Sequence, residues 1–120
     1  MSVEDTAREE RIIMEAIVDA YSPEEQAMGW YYYLDDRITF PFSAVCIAVN
    51  KRSPLELDER VTVARMAGEE DCEHDMYVEI SWKGKALAIP LSQVEPLNAD
   101  NDTVEAIGDW HYCKGQGYSF

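Results

Sequence analysis

Asp35 and Asp36 are adjacent carboxylates placed where an aromatic run, Met28-Gly-Trp-Tyr-Tyr-Tyr-Leu34, gives way to the breaker Phe40-Pro41-Phe42. Hard cations such as Ca²⁺ take about six to eight oxygens, from carboxylates and backbone carbonyls. The end of a helix leaves its last carbonyls without intrahelical donors. An acid pair at such a corner therefore offers side-chain and main-chain oxygens together. The two carboxylates also repel each other, and a cation beside them relieves that cost. Taken alone, such a pair is more often a solvated turn.

Other oxygen-rich stretches are weaker candidates. Asp100-Asn-Asp102 starts like an EF-hand loop, but Val104 stands at its fifth position, Glu105 replaces the glycine of the sixth, and His111 replaces the closing glutamate. An EF-hand is rejected. Asp100 and Asp102 remain possible ligands of an irregular site, although helix capping explains at least one of them more simply. Asp19 falls near the end of a first helix, where an acid is unfavourable for the dipole. It is noted as a ligand candidate beside its plainer reading as a solvated residue. Glu69-Glu-Asp-Cys-Glu-His-Asp75 is the densest charge run, and such runs are usually solvated loops. Cys72-x-His74 and His111-x-Cys113 form a ligand set that zinc accepts, but each half is tighter than the usual spacing of about two to four residues. No nucleophile with a base, phosphate-binding glycine loop or Gly-x-Ser-x-Gly motif is present, so an enzyme is not expected.

These candidates need elements to hold them. Ile12, Ile13, Ala16, Ile17 and Ala20 recur at helical spacing, and a first helix is expected over residues 5–20. A second begins at Ser22, with Pro23 at its first position and Glu25 completing a capping box, and runs to about Asp35. The tight connection makes a helical hairpin. After Pro41 the periodicity changes from 3.6 to 2. Strands are expected over residues 44–49, 60–66, 76–82 and 86–89, then a helical turn and a short strand within 91–97. A short C-terminal helix follows, capped by Asp100 or Asp102 and ended by Gly115 and Gly117. The class is α+β: a helical hairpin on a small, curled antiparallel sheet of SH3-like kind, in one domain over residues 1–120. The expected core comprises Trp30, Tyr31, Leu34, Val45, Ile47, Val63, Val78, Ile80, Leu87, Ile89 and Trp110.

The totals narrow the function. Hydrophobic residues make up 47% of the chain, enough for a real core rather than a disordered acidic tail. Acids outnumber bases 24 to 10, a net charge of −14 that repels nucleic acid and anionic membranes and attracts cations or a basic protein partner. Solubility alone accounts for a few excess acids, but at this charge self-repulsion costs stability that bound cations would recover. Three widely spaced cysteines do not make a disulfide framework. Residues 1–20 are charged rather than apolar, and a soluble, cytoplasmic protein is expected.

The stretch Gly29-Trp-Tyr-Tyr-Tyr-Leu-Asp-Asp-Arg-Ile-Thr-Phe-Pro-Phe42 resembles the small acidic calcium-binding proteins first known from cyanobacteria, a family without EF-hands. Ser53-Pro-Leu55, Val78-Glu-Ile-Ser-Trp82 with Leu87-Ala-Ile-Pro-Leu91, and Ala106-Ile-Gly-Asp-Trp110 with Gly117-Tyr118 extend the likeness from about Ile13 to the end. The resemblance implies calcium binding by surface carboxylates and a role as a cytoplasmic buffer or sequestering protein, not an enzyme. Asp35 and Asp36 lie in the matching motif and are the first choice of ligands; Asp19, Asp100 and Asp102 follow from acidity and position. Asp109 also lies in a matching piece, but pairing with Arg37 or with the backbone beside Trp110 is its simpler role. An acidic interaction module that binds a basic protein without metal is the alternative.

Overall fold

The computed structural model describes residues 6–17, 20–51 and 53–115; Asp19 lies outside them. The chain opens with helix α1 (Thr6–Arg11), which passes directly into a π-helical turn, Ile12–Ala16, closed by the Ile17 amide on the Ile12 carbonyl. Ile12 and Ala16 are buried, whereas Ile13 is turned out to solvent. Helix α2 (Pro23–Arg37) begins with the expected capping box. The Glu25 amide donates to Ser22 Oγ, and the Ser22 amide donates to the Glu25 carboxylate, both at 3.1 Å. The two segments pack as a hairpin at Gly29, where a Cβ would stand 2.3 Å from the Ala16 carbonyl oxygen. Only glycine permits that approach.

The sheet contains β1 (Phe42–Cys46), β2 (Arg60–Met66), β3 (Tyr77–Trp82), β4 (Lys85–Pro90) and β5 (Val94–Leu97). Its order is β4-β3-β2-β1-β5, antiparallel throughout. A single 3₁₀ turn, Leu91–Gln93, separates β4 from β5. Lys83 and Gly84, both at positive φ, make the two-residue turn between β3 and β4. A bulge between Val63 and Arg65 resets the alternation of β2, so that both Val63 and Met66 face inward.

Helix α3 (Asn101–Gly115), as long as α2, completes the α+β fold. The ring of Trp30 stands edge-on to Tyr33 and to Trp110, with centroids 5.7 and 5.0 Å apart, so one aromatic cluster joins α2 to α3. Most expected core residues are buried or packed on the core. Ile47 is not: it is exposed, and Val45 is only half-buried. The strand starts two residues earlier than expected, and Phe42 takes the inward position. With a period of two, Ala44 and Cys46 then face the core while Val45 and Ile47 face away.

Candidate functional site

Asp35 and Asp36 occupy the last turn of α2, both exposed, just before the Ile38 amide closes the helix on the Leu34 carbonyl. Carboxylates there sit at the negative end of the helix dipole, which is locally unfavourable and leaves a cation favoured. Gly29, Tyr33, Asp36 and Arg37 share one face of α2, at spacings of three and four residues. That face and Asp35 border an open cleft whose opposite wall is the π-turn, contributing Glu15 and Ala16. The cleft thus gathers two helix-end carboxylates and a third carboxylate from another segment. All are hard oxygen donors, the set that suits calcium and disfavours softer metals.

The cleft is not a finished cage: among the described residues, no three His, Cys, Asp or Glu side chains already converge at metal-binding distance. Arg37 stands among the acids. It is ion-paired with Glu15, lies 3.9 Å from Glu105, and its guanidinium sits 4.9 Å above the Tyr33 ring.

Behind the cleft lies a buried network that sequence reasoning missed. Asp109, fully buried on α3, accepts from Tyr33 Oη at 2.6 Å and from Arg11 at 2.7 and 2.9 Å, while Arg8 Nε lies 2.9 Å away. The expected pairing of Asp109 with Arg37 does not form. Tyr33 stands between them, its hydroxyl on Asp109 and its ring under Arg37. Burial, then the hydrogen bond to Asp109, pushes the Tyr33 hydroxyl well above its ordinary pKa, and that same carboxylate raises Arg11. Tyr33 is buried by Asp109 on its hydroxyl and by Trp30 and Arg37 on its ring.

The neighbouring tyrosines tie α2 to the acidic loop. Tyr31 donates to the Ala67 carbonyl at 2.9 Å and Tyr32 to Glu69 at 2.8 Å. Burial first, and Asp35 second, raises the Tyr31 pKa; the Glu69 hydrogen bond raises that of Tyr32. The loop itself is a 3₁₀ turn, Glu69–Cys72, with Glu69, Glu70 and Asp71 exposed.

Asp100 and Asp102 do not border this cleft. Asp100 caps α3, accepting the Thr103 amide at 2.7 Å, and hydrogen bonds from Thr39 and Thr103 hold its carboxyl below the usual range. Asp102 is exposed in the first turn of α3. The Cys72, His74, His111 and Cys113 zinc set does not assemble among the described residues. Cys72 and Cys113 are buried, and burial pushes each thiol up to about 11. His74 is exposed, and His111 Nε2 lies 3.3 Å from the Leu91 carbonyl.

This α+β domain, with its carboxylates at a helix end, is similar to known calcium-binding proteins. The family model of CcbP, described as calcium binding, matches residues 10–113, and the chain is a member of that family. The crystal structure of Anabaena CcbP superposes with a TM-score of 0.87 at 42% identity, covering 99% of this chain and 98% of that one. A calcium-binding protein in its calcium-binding form gives 0.83 at 41% identity, with both chains covered completely. No curated protein matches.

Proposed function

We propose that the protein binds calcium at the cleft between the π-turn and α2, and that it buffers or sequesters the ion in the cytoplasm rather than catalysing a reaction. The observation that carries this reading is the placement of Asp35 and Asp36 at the C-terminal end of α2, lining one cleft with Glu15 and Ala16. Asp35, Asp36 and Glu15 would supply carboxylate ligands and the π-turn a main-chain oxygen, with water completing the shell. The relative solved in its calcium-binding form supports calcium as the ion. A site outside any EF-hand is supported by α3, which begins at Asn101 and makes the stretch after Asp100 helical rather than a twelve-residue loop. Three free, buried cysteines suit a reducing compartment. A charge of −14 argues against nucleic acid and anionic membranes as partners, and leaves a basic protein as the alternative partner.

Calorimetric titration with Ca²⁺, at physiological salt and with excess Mg²⁺, tests the reading. The parent should bind calcium. The double variant Asp35→Asn with Asp36→Asn keeps shape, removes two charges and should lose at least one site. Equal site number and affinity in parent and variant would move the site elsewhere, with the 69–75 loop and Asp100–Asp102 next to test. An acidic module without metal would show no calcium heat and would instead bind a basic protein with steep salt dependence.

A further inference from the structure

We infer that Arg37 is a built-in counter-ion of the cleft, which holds Glu15 in the calcium-free protein and must release it when calcium binds. The inference rests on the reading of the cleft as a calcium site. Arg37 is the third residue of Asp35-Asp36-Arg37, yet its charge is paired with acids of other segments and not with the buried Asp109. It is held from three sides: by Glu15 across the cleft, by Glu105 on α3 at 3.9 Å, and by the face of Tyr33 at 4.9 Å. Its side chain remains 28% exposed, so it can move without unpacking the core.

The geometry gives two consequences. A guanidinium and a calcium ion compete for the same Glu15 oxygens, because a carboxylate taken into a metal shell has little left to offer a cation that the metal also repels. The displaced guanidinium, in turn, has an acceptor at hand. Glu105 already lies within 4 Å of Arg37, and 3.5 Å from Arg11. Release from Glu15 therefore transfers Arg37 towards α3 instead of stranding it. Tyr33 is the pivot, fixed by its hydroxyl on Asp109 while its ring carries the guanidinium. Arg37 thus lowers calcium affinity and stabilises the empty cleft, whose acids otherwise repel one another.

The test compares Arg37→Gln, Arg37→Lys and the Asp35→Asn/Asp36→Asn variant by calcium calorimetry at low and physiological salt. Removing the competing cation should tighten calcium binding about three- to tenfold, as expected for loss of one part-exposed ion pair and of its repulsion of the metal. Arg37→Lys keeps the charge and should bind nearly as the parent does. If the double aspartate variant loses calcium but Arg37→Gln binds no tighter than the parent, the counter-ion role is overturned and the site stands. If the double variant retains calcium in full, the site and the inference fall together. The parent supplies a measurement that needs no variant to fold: the Arg37 Nε–Hε resonance, followed by ¹⁵N-correlated NMR, should shift on calcium saturation, and an unmoved resonance would overturn the release of Glu15.

Discussion

Asp109 shows how much one residue can carry that its sequence context conceals. Its carboxylate is out of water, and Arg8, Arg11 and Tyr33 together supply what burial removed. A buried ion pair is weak evidence for stability, but deleting one partner leaves the others stranded. Asp109→Asn should therefore lower unfolding stability by about 3–5 kcal/mol, seen as a lower urea midpoint at an unchanged slope. A midpoint equal to the parent's would mean that the arginines find other acceptors. The thiols make a prediction of opposite character. Cys72 and Cys113 stand at about 11 against an ordinary 9.0, so the folded state holds their protons more tightly than the unfolded chain does. Their contribution to stability is full below pH 9 and declines as pH rises from 9 towards 11. Denaturant midpoints across that range should fall, and Cys72→Ala with Cys113→Ala should flatten the decline. A decline of equal slope in that variant would assign it to the raised tyrosines instead.

Gly29 sets the distance between the elements that form the cleft. Alanine is the better helix former by about 1 kcal/mol, whereas forcing an extra carbon into a packed contact costs about 1–3 kcal/mol. The obstructing atom is a backbone oxygen at 2.3 Å, which cannot swing aside as the end of a side chain would. Overpacking should win: Gly29→Ala should be destabilised and should bind calcium more weakly, because the π-turn carrying Glu15 is pushed off α2. A more stable variant with unchanged affinity would show that the hairpin adjusts without cost. The elements themselves were legible wherever a local signal was strong. Ser22, Pro23 and Glu25 announce the start of α2, and the change of period after Pro41 announces the sheet. The register of β1 was not legible, because Ala44-Val-Cys-Ile-Ala-Val49 is apolar on both faces and gives no alternation to read. The π-turn left no pattern either. Asp35 and Asp36 stand out as adjacent acids near a helix end, but nothing in the sequence around Glu15 marks it as a ligand. Only the docking of two segments brings it to the cleft, and a 98-residue separation hides Arg11 and Asp109 from each other in the same way.

At the scale of the molecule, the core shares Tyr33 and Ala16 with the wall of the cleft but does not include its carboxylates. Trp30, Tyr33, Leu34 and Trp110 bury the hairpin against α3, and the inner face of the sheet is filled by Val63, Val78, Ile80 and Ile89. None of this depends on an oxygen of the cleft, so the calcium-free protein should be folded, unlike domains whose metal supplies the folding energy. Calcium then acts by mass action on a native state already present. At free calcium about 100 times Kd, one site adds about 2.7 kcal/mol. For a chain of this length, that corresponds to about 10 °C in Tm. The charge of −14 works in the same direction, since every bound ion removes self-repulsion from the compact state. Magnesium should do much less, because it demands tight octahedral geometry and gives up water reluctantly, while the cleft offers irregularly placed oxygens. Thermal scans at fixed ionic strength should therefore show Tm rising with the logarithm of free calcium above Kd, little response to equal magnesium, and a smaller calcium response in the Asp35→Asn/Asp36→Asn variant. Equal shifts from both ions would reduce the effect to charge screening over the whole acidic surface. An unfolded calcium-free protein would mean that the cleft, rather than the aromatic hairpin, organises the fold.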